Sequence, residues 1–147
     1  MAHVITLTSV PDDWEDPVLT QQQAQTLLAQ PHHVLFAVSL PSAHHHATGG
    51  YLLASLMPHA QADILTLYVP PTHRRHGHAR RLLQAVLDAA RKAACTGLTL
   101  EVAASNHAAV RLYTVCGLQQ VGLRAGYYHD PVSNLKADAL VLALTLA

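Results

Sequence analysis

Cysteine, long apolar runs and early positive charge are all scarce in this chain, and each scarcity excludes something. Only two of the 147 residues are cysteine, Cys95 and Cys116, and they form no C-x-x-C pair. A disulfide framework and a cysteine zinc site are therefore not expected, and a reducing cytosol suits the chain. Met1 to Asp16 is acidic and lacks the basic start and apolar core of a signal peptide. The apolar stretch Ala139 to Ala147 is too short to span a bilayer. A cytoplasmic protein with no membrane partner is expected, in one domain over residues 1–147 that buries roughly two-thirds of its unfolded surface.

Lysine and arginine are absent from residues 1–73, which hold five acids; all nine follow from Arg74 onward, beside four acids. Net charge is zero, yet the chain is electrically polarised. A basic C-terminal half fits an anionic ligand. The acidic DDWED, Asp12 to Asp16, fits either a cationic acceptor or a plain solvated loop. The histidines His44, His45 and His46, and His73, His76 and His78, have no cysteine or carboxylate companions at ligand spacing, so no metal is expected. Arg74, Arg75, Arg80 and Arg81 form a basic cluster without an aromatic stacking platform, which argues against a nucleic-acid partner.

What is present centres on LTLYVPPTHRRHGHARRLLQAVL, Leu65 to Leu87. A β-type apolar run stops at Pro70-Pro71, and after a basic, glycine-containing turn an amphipathic pattern begins at Leu82, Leu83, Val86 and Leu87. That is a strand, a tight turn and a helix. The first turn of a helix exposes unpaired N–H groups and partial positive charge, where anions bind. Gly77 and Ala79 leave little bulk there, and Arg74, Arg75 and Arg80 add forked donors, so a pyrophosphate is the expected ligand. A basic, solvated helix start is the alternative.

Around this unit the pattern predicts strands at His3–Thr8, Val34–Leu40, Tyr51–Met57, Asp63–Val69, Gly97–Ala103, Leu118–Tyr127 and Ala139–Leu146. Helices are predicted at Pro17–Gln30, Arg75–Ala94 with Asp88 and Lys92 at i,i+4 spacing, and from a Ser105 or Asn106 cap to Cys116, ended by Gly117. Pro41 to Gly50 is expected as the loop of a hairpin, and the last two strands as antiparallel neighbours. No repeat or linker is visible.

Two strings carry a family likeness: V-x-P-x-x-R-R-x-G-x-A from Val69, and L-E-V-x-x-S-N-x-x-A-x-x-L-Y-x-x-x-G from Leu100. Together they resemble the acetyl-CoA-binding core of the GNAT superfamily of N-acetyltransferases, within it most nearly the bacterial ribosomal-protein alanine N-terminal acetyltransferases. The later Tyr127-Tyr128 and Asp138-Ala139 pairs add to the likeness, which runs from Ala62 to the C-terminus. The resemblance implies an α/β fold, a GNAT-like mixed sheet of about seven strands with helices on both faces. The family usually has two helices between its first two strands, where this chain has room for one and a loop. Acetyl-CoA is the implied co-substrate.

The same resemblance implies where chemistry occurs. Backbone groups of Leu67, Tyr68 and Val69 would hold the pantetheine arm. Arg75, His76, Gly77, His78, Ala79 and Arg80, with Arg74 beside them, would hold the pyrophosphate, and Asn106 would touch the cofactor. Glu101 would be the general base and Tyr113 the acid for the leaving thiolate. The residues themselves suit these tasks. Glu101 has apolar sequence neighbours, and partial desolvation of such a carboxylate suits a base; a structural carboxylate capping a backbone group is the alternative. A phenol and a thiol have ordinary pKa values of about 10 and about 8.5, so Tyr113 is a competent donor; a packed core aromatic is the alternative. Trp14, Tyr127 and Tyr128 are expected as an aromatic wall at the acceptor, with Tyr127-Tyr128 in a last loop, or as plain packing.

The leading expectation is N-acetylation of a protein or peptide N-terminal amine, on a ribosomal or other protein, by direct transfer from acetyl-CoA. Acetylation of a small amine or amino acid, and a non-catalytic acyl-CoA-binding module, are the alternatives. A monomer or weak homodimer is expected.

Overall fold

Strands β2 (His33–Ser39) and β3 (Thr48–Ser55) carry almost unbroken apolar sequence, so both of their faces must be covered. The computed structural model describes residues 2–41, 48–129, 132 and 135–146. In it the side chains of these two strands divide by parity. Phe36, Val38, Leu52 and Ala54 enter one core, and Leu35, Ala37, Tyr51 and Leu53 enter another on the opposite face.

Seven strands form one mixed sheet in the order β1-β2-β3-β4-β5-β7-β6, where β1 is His3–Leu7, β4 Gln61–Tyr68, β5 Gly97–Ala103, β6 Gln119–His129 and β7 Lys136–Thr145. On one face helix α2 (His78–Lys92) buries Leu82, Leu83, Val86, Leu87 and Ala90, the stripe its sequence spacing gives. Tyr113 of helix α3 (His107–Val115) joins the same core. On the other face lies helix α1 (Gln21–Leu28), whose Ala24 is fully buried. The expected seven-stranded α/β architecture with helices on both faces is the one observed.

Boundaries differ where capping chemistry overrides apolar spacing. Helix α1 starts after Thr20 rather than at Pro17, because Thr20 and Gln23 form a reciprocal capping box, with Gln23 N–H donating to Thr20 Oγ1 at 3.1 Å. Helix α2 starts at His78 rather than Arg75, after a single 3-10 turn at Pro71–His73 and a left-handed Gly77. Asp88 pairs with Arg91 at 3.7 Å, not with Lys92. Asn106, rather than Ser105, caps α3, and Gly117 ends it at positive φ. Leu118 is buried in the core. Residues 41–50 are not all loop, since β3 already starts at Thr48, and His44 to His46 lie outside the described residues. Among the described residues no helix is long and apolar enough to cross a membrane.

The consequential irregularity is in β4. Leu53 opposes Thr66 while the next residue of β3, Ala54, opposes Ile64, so Leu65 is an extra residue, a β-bulge that bends the strand. Beyond the bend β4 leaves its other neighbour. It pairs with β5 in parallel only at Gln61, Ala62 and Asp63, opposite Gly97, Leu98 and Thr99. From Ile64 onward the β5 side of β4 has no strand partner, and a wedge opens between the two strands.

Gly50 begins the stretch of β3 that runs beside the end of β4. Its φ is +137°, and a Cβ there would lie 2.7 Å from the Tyr68 carbonyl oxygen. Gly50→Ala is therefore expected to destabilise the fold by about 1–3 kcal/mol, the scale of a residue forced into a glycine-only conformation, as read by the urea midpoint of unfolding.

Candidate active site

The wedge between β4 and β5 is a cleft of about 750 Å³. Its walls are Leu65 to Tyr68 on one side and Leu100 to Ala103 on the other, with Leu112 and Tyr113 of α3 behind. Leu67, Tyr68, Val69, Arg74, Arg75 and Ala79 line it, and so do Asn106, Glu101, Tyr113 and Tyr128. An adjoining depression of about 260 Å³ is lined by Gly77, His78 and Arg80. His76, Trp14 and Tyr127 line neither.

The turn that closes one end of the cleft is held by its own arginines. Arg74 Nε donates to the Val69 carbonyl at 2.9 Å, tying the turn to the end of β4. Arg81 donates through Nη1 to the His76 carbonyl at 2.6 Å and lies 3.2 Å from His78 Nδ1. Arg75 adopts a left-handed φ of 66°, which costs a non-glycine residue of order 1–3 kcal/mol. Its side chain and the α2 N-terminus, where Gly77 leaves the first N–H groups uncovered, face the same depression. His78 is buried, and a Cβ on Gly49 would lie 3.0 Å from its ring. Burial, and then the charges of Arg81, His76 and His73, push its imidazole below the usual range. Among the described residues no group of three or more His, Cys, Asp or Glu side chains is arranged to hold a metal.

At the other end stand Glu101 and Tyr113. Leu100 and Val102 are buried toward the α2 face, so β-alternation turns Glu101 to the opposite face, away from them. The expectation of a carboxylate desolvated by its sequence neighbours is thereby corrected. The Glu101 side chain is 31% accessible, and its partner is Arg124 of β6, whose Nε is 3.3 Å from Glu101 Oε1. Tyr113 is buried, and burial, aided by Tyr128, pushes its phenol up to about 12. Tyr128 is raised as well, by burial, Glu101 and Tyr127, against the opposing Arg124.

The expected aromatic wall does not form as one unit. Trp14 stacks on Tyr51 with ring centres 3.9 Å apart, and its indole N–H donates to the Leu19 carbonyl at 2.8 Å. Tyr127 and Tyr128 make a separate edge-to-face pair at 5.1 Å, and they lie within β6 rather than in a loop. The loop before α1 nevertheless reaches the cleft through Pro17 and Val18. Asp16 fixes it there, accepting from the Val18 and Leu19 N–H groups at 2.7 and 2.9 Å and from the Thr66 hydroxyl of β4. Thr66, which lines the cleft, and Arg124, which pairs with Glu101, were not found by motif reading, because each acts through a partner distant in sequence; Asp16 was read only as part of the acidic DDWED.

A wedge between diverging parallel strands is thus closed at one end by a turn that presents Arg75 and helix N–H groups and at the other by a carboxylate and a phenol. The Acetyltransferase (GNAT) family profile matches residues 5–118, and the chain belongs to that family. It is 34% identical over 87 residues to the "[Ribosomal protein bS18]-alanine N-acetyltransferase" of Escherichia coli, covering 59% of this chain and 57% of that protein. It is 36% identical over 104 residues to the "N-alpha-acetyltransferase RimI" of Mycobacterium tuberculosis, covering 63% of this chain and 64% of that one. The matches thus span less than two-thirds of these relatives. The fold superposes on the crystal structure of the E. coli ribosomal-protein-S18-alanine N-acetyltransferase with a TM-score of 0.80 at 20% identity, over 100% of this chain and 95% of that one. Arabidopsis thaliana NAA60 in complex with acetyl-CoA gives 0.74 at 21% identity, over 87% and 84%.

The Tyr113 phenol has a checkable consequence for stability. Its folded value, about 12, lies above its ordinary 10.0. Between these two pH values the unfolded chain releases the proton and the native chain retains it, so this contribution is intact below pH 10 and is lost as pH rises toward 12. Tyr113→Phe should flatten that part of the decline, as measured by urea unfolding at pH 9 and pH 11.

Proposed function

We propose that the chain is an acetyl-CoA-dependent N-acetyltransferase that acts on the N-terminal amine of a protein or peptide by direct transfer. The observation that carries this reading is that Glu101 and Tyr113 open onto the same cleft as the Arg75–Ala79 turn. The cleft fits the co-substrate. Unpaired backbone along Ile64–Tyr68 offers hydrogen bonds to the amides of a pantetheine arm, and the turn offers Arg75 and backbone N–H groups to a pyrophosphate. The names of the bacterial relatives support an N-terminal acceptor.

Acetyl-CoA supplies a thioester whose carbonyl carbon the amine attacks; the C–N bond forms as the C–S bond breaks. Glu101, directly or through water, takes the proton the amine must lose. Tyr113 donates to the sulfur as its charge develops. At about 12 the phenol holds its proton more tightly than a thiol of about 8.5 holds its own, so stabilisation comes mainly from the donated hydrogen bond. Burial keeps the phenol neutral and ready at every working pH. Asp16 and Thr66 fix the Pro17–Val18 wall of the cleft and act as positioning residues.

Three variants separate these roles. Arg75→Gly removes the guanidinium and also the left-handed cost, so calorimetry should read weaker acetyl-CoA binding while thermal stability is unchanged or higher. Glu101→Gln should lower kcat about 10²- to 10⁴-fold at unchanged cofactor affinity. Tyr113→Phe keeps the ring and loses the donor, so kcat should fall while cofactor affinity stays near wild type. Near-normal kcat in both of the last two, with folding confirmed, would refute the mechanism. Turnover of free amines with no peptide accepted would move the reading to a small-molecule acetyltransferase.

A further inference from the structure

Glu101 already has a cation. Strand β7 separates it from Arg124: Glu101 lies opposite Val141, and Arg124 lies opposite Ala139, two residues along the same face of β7. The residue of β6 in Glu101's own row is Gly122, which has no side chain, and this leaves the surface clear for Arg124 to reach back across it. The contact is single, Nε to Oε1 at 3.3 Å, with 56% of the Arg124 side chain accessible. The guanidinium carbon lies 5.1 Å from the centre of the Tyr127 ring. Among the described residues Glu101 is the one carboxylate within ion-pair distance of Arg124.

If Glu101 takes the proton, as proposed above and as this inference assumes, the acceptor's amine must come within hydrogen-bond reach of the carboxylate, where Arg124 now stands. Two cations then compete for one carboxylate. An exposed, single-contact ion pair is cheap to part, and the Tyr127 ring gives the guanidinium a surface to rest on while it moves. Its charge still needs a partner, and among the described residues the nearby carboxylates are engaged: Asp138 of β7 accepts from the Gly126 N–H at 2.8 Å. Asp16, the carboxylate of the opposite wall, is already engaged by two backbone N–H groups and Thr66. Along the rim past Arg124, the side chain of Lys136 packs beside Gly126 and adds a second positive charge.

We infer that Arg124 selects the acceptor. It yields Glu101 to the incoming amine and pairs with a carboxylate carried by the acceptor itself, so N-terminal segments with Asp or Glu just after the first residue are preferred. The exchange leaves every charge paired. A basic second residue instead brings a third cation to the same carboxylate.

The test uses acetyl-CoA with three otherwise identical N-terminal peptides bearing Glu, Gln or Lys at the second position, and the corresponding free amino acids. Wild-type kcat/KM should rank Glu above Gln above Lys, in steps of roughly two- to fivefold, the range of an exposed ion pair. Arg124→Gln should erase the ranking, and Arg124→Glu should reverse it, with acetyl-CoA affinity by calorimetry unchanged in both. A wild-type preference for Lys, or a ranking that persists in Arg124→Gln, overturns the inference while leaving the acetyltransferase reading intact. Turnover of none of these acceptors by the wild type overturns the acceptor reading, and this inference with it.

Discussion

Everything at the site depends on two strands parting. Parallel neighbours normally hydrogen-bond along their length, yet β4 and β5 share only three residue pairs before the Leu65 bulge turns β4 aside. The parting exposes backbone that a packed sheet would have paired, and it opens a cleft of about 750 Å³ between the strands. The Arg74–Ala79 turn is where β4 runs out, and Glu101 and Tyr128 stand beyond the point where β5 has lost its parallel partner.

The two ends of the slot are built by different means. The anion end is local, a turn whose conformation is held by Arg74 and Arg81 bonding to carbonyls within five residues. The other end, proposed for the acceptor, is assembled from afar. Asp16 comes from before α1, Glu101 from β5, Tyr113 from α3, and Arg124 and Tyr128 from β6. The two groups proposed for catalysis contrast there: burial makes the Tyr113 phenol hold its proton, while the Glu101 side chain is partly exposed and already faces a cation.

That difference decides what the sequence could reveal. The turn and α2 were legible because their residues are contiguous and their types follow from helix-terminus physics; Gly77, Arg75 and the Leu82–Leu87 stripe are readable without a partner. The seven strands were legible from their apolar runs. The bulge at Leu65 was not, since a single added residue leaves the apolar alternation of LTLYV looking continuous. Nor was the Glu101–Arg124 pair, which depends on the register of β6 on β7 and of β7 on β5. Trp14 stacks on Tyr51 rather than joining Tyr127 and Tyr128 in one wall, and the sequence carries no signal of which aromatic side chains will meet. Helix starts moved by three to four residues where a Thr20 capping box or a left-handed Gly77 took precedence over apolar spacing.

The three-rung ladder between β4 and β5 also bears on how the molecule holds together. Among the described residues it is the sole strand pairing between β1 to β4, which otherwise pair only with one another, and β5 to β7, which otherwise do the same. Helix α2 packs on strands of both groups, and the core beneath it runs continuously across them, so helix and core rather than strand hydrogen bonds carry the cohesion across the cleft. The cofactor proposed for the wedge would add to that cohesion by mass action.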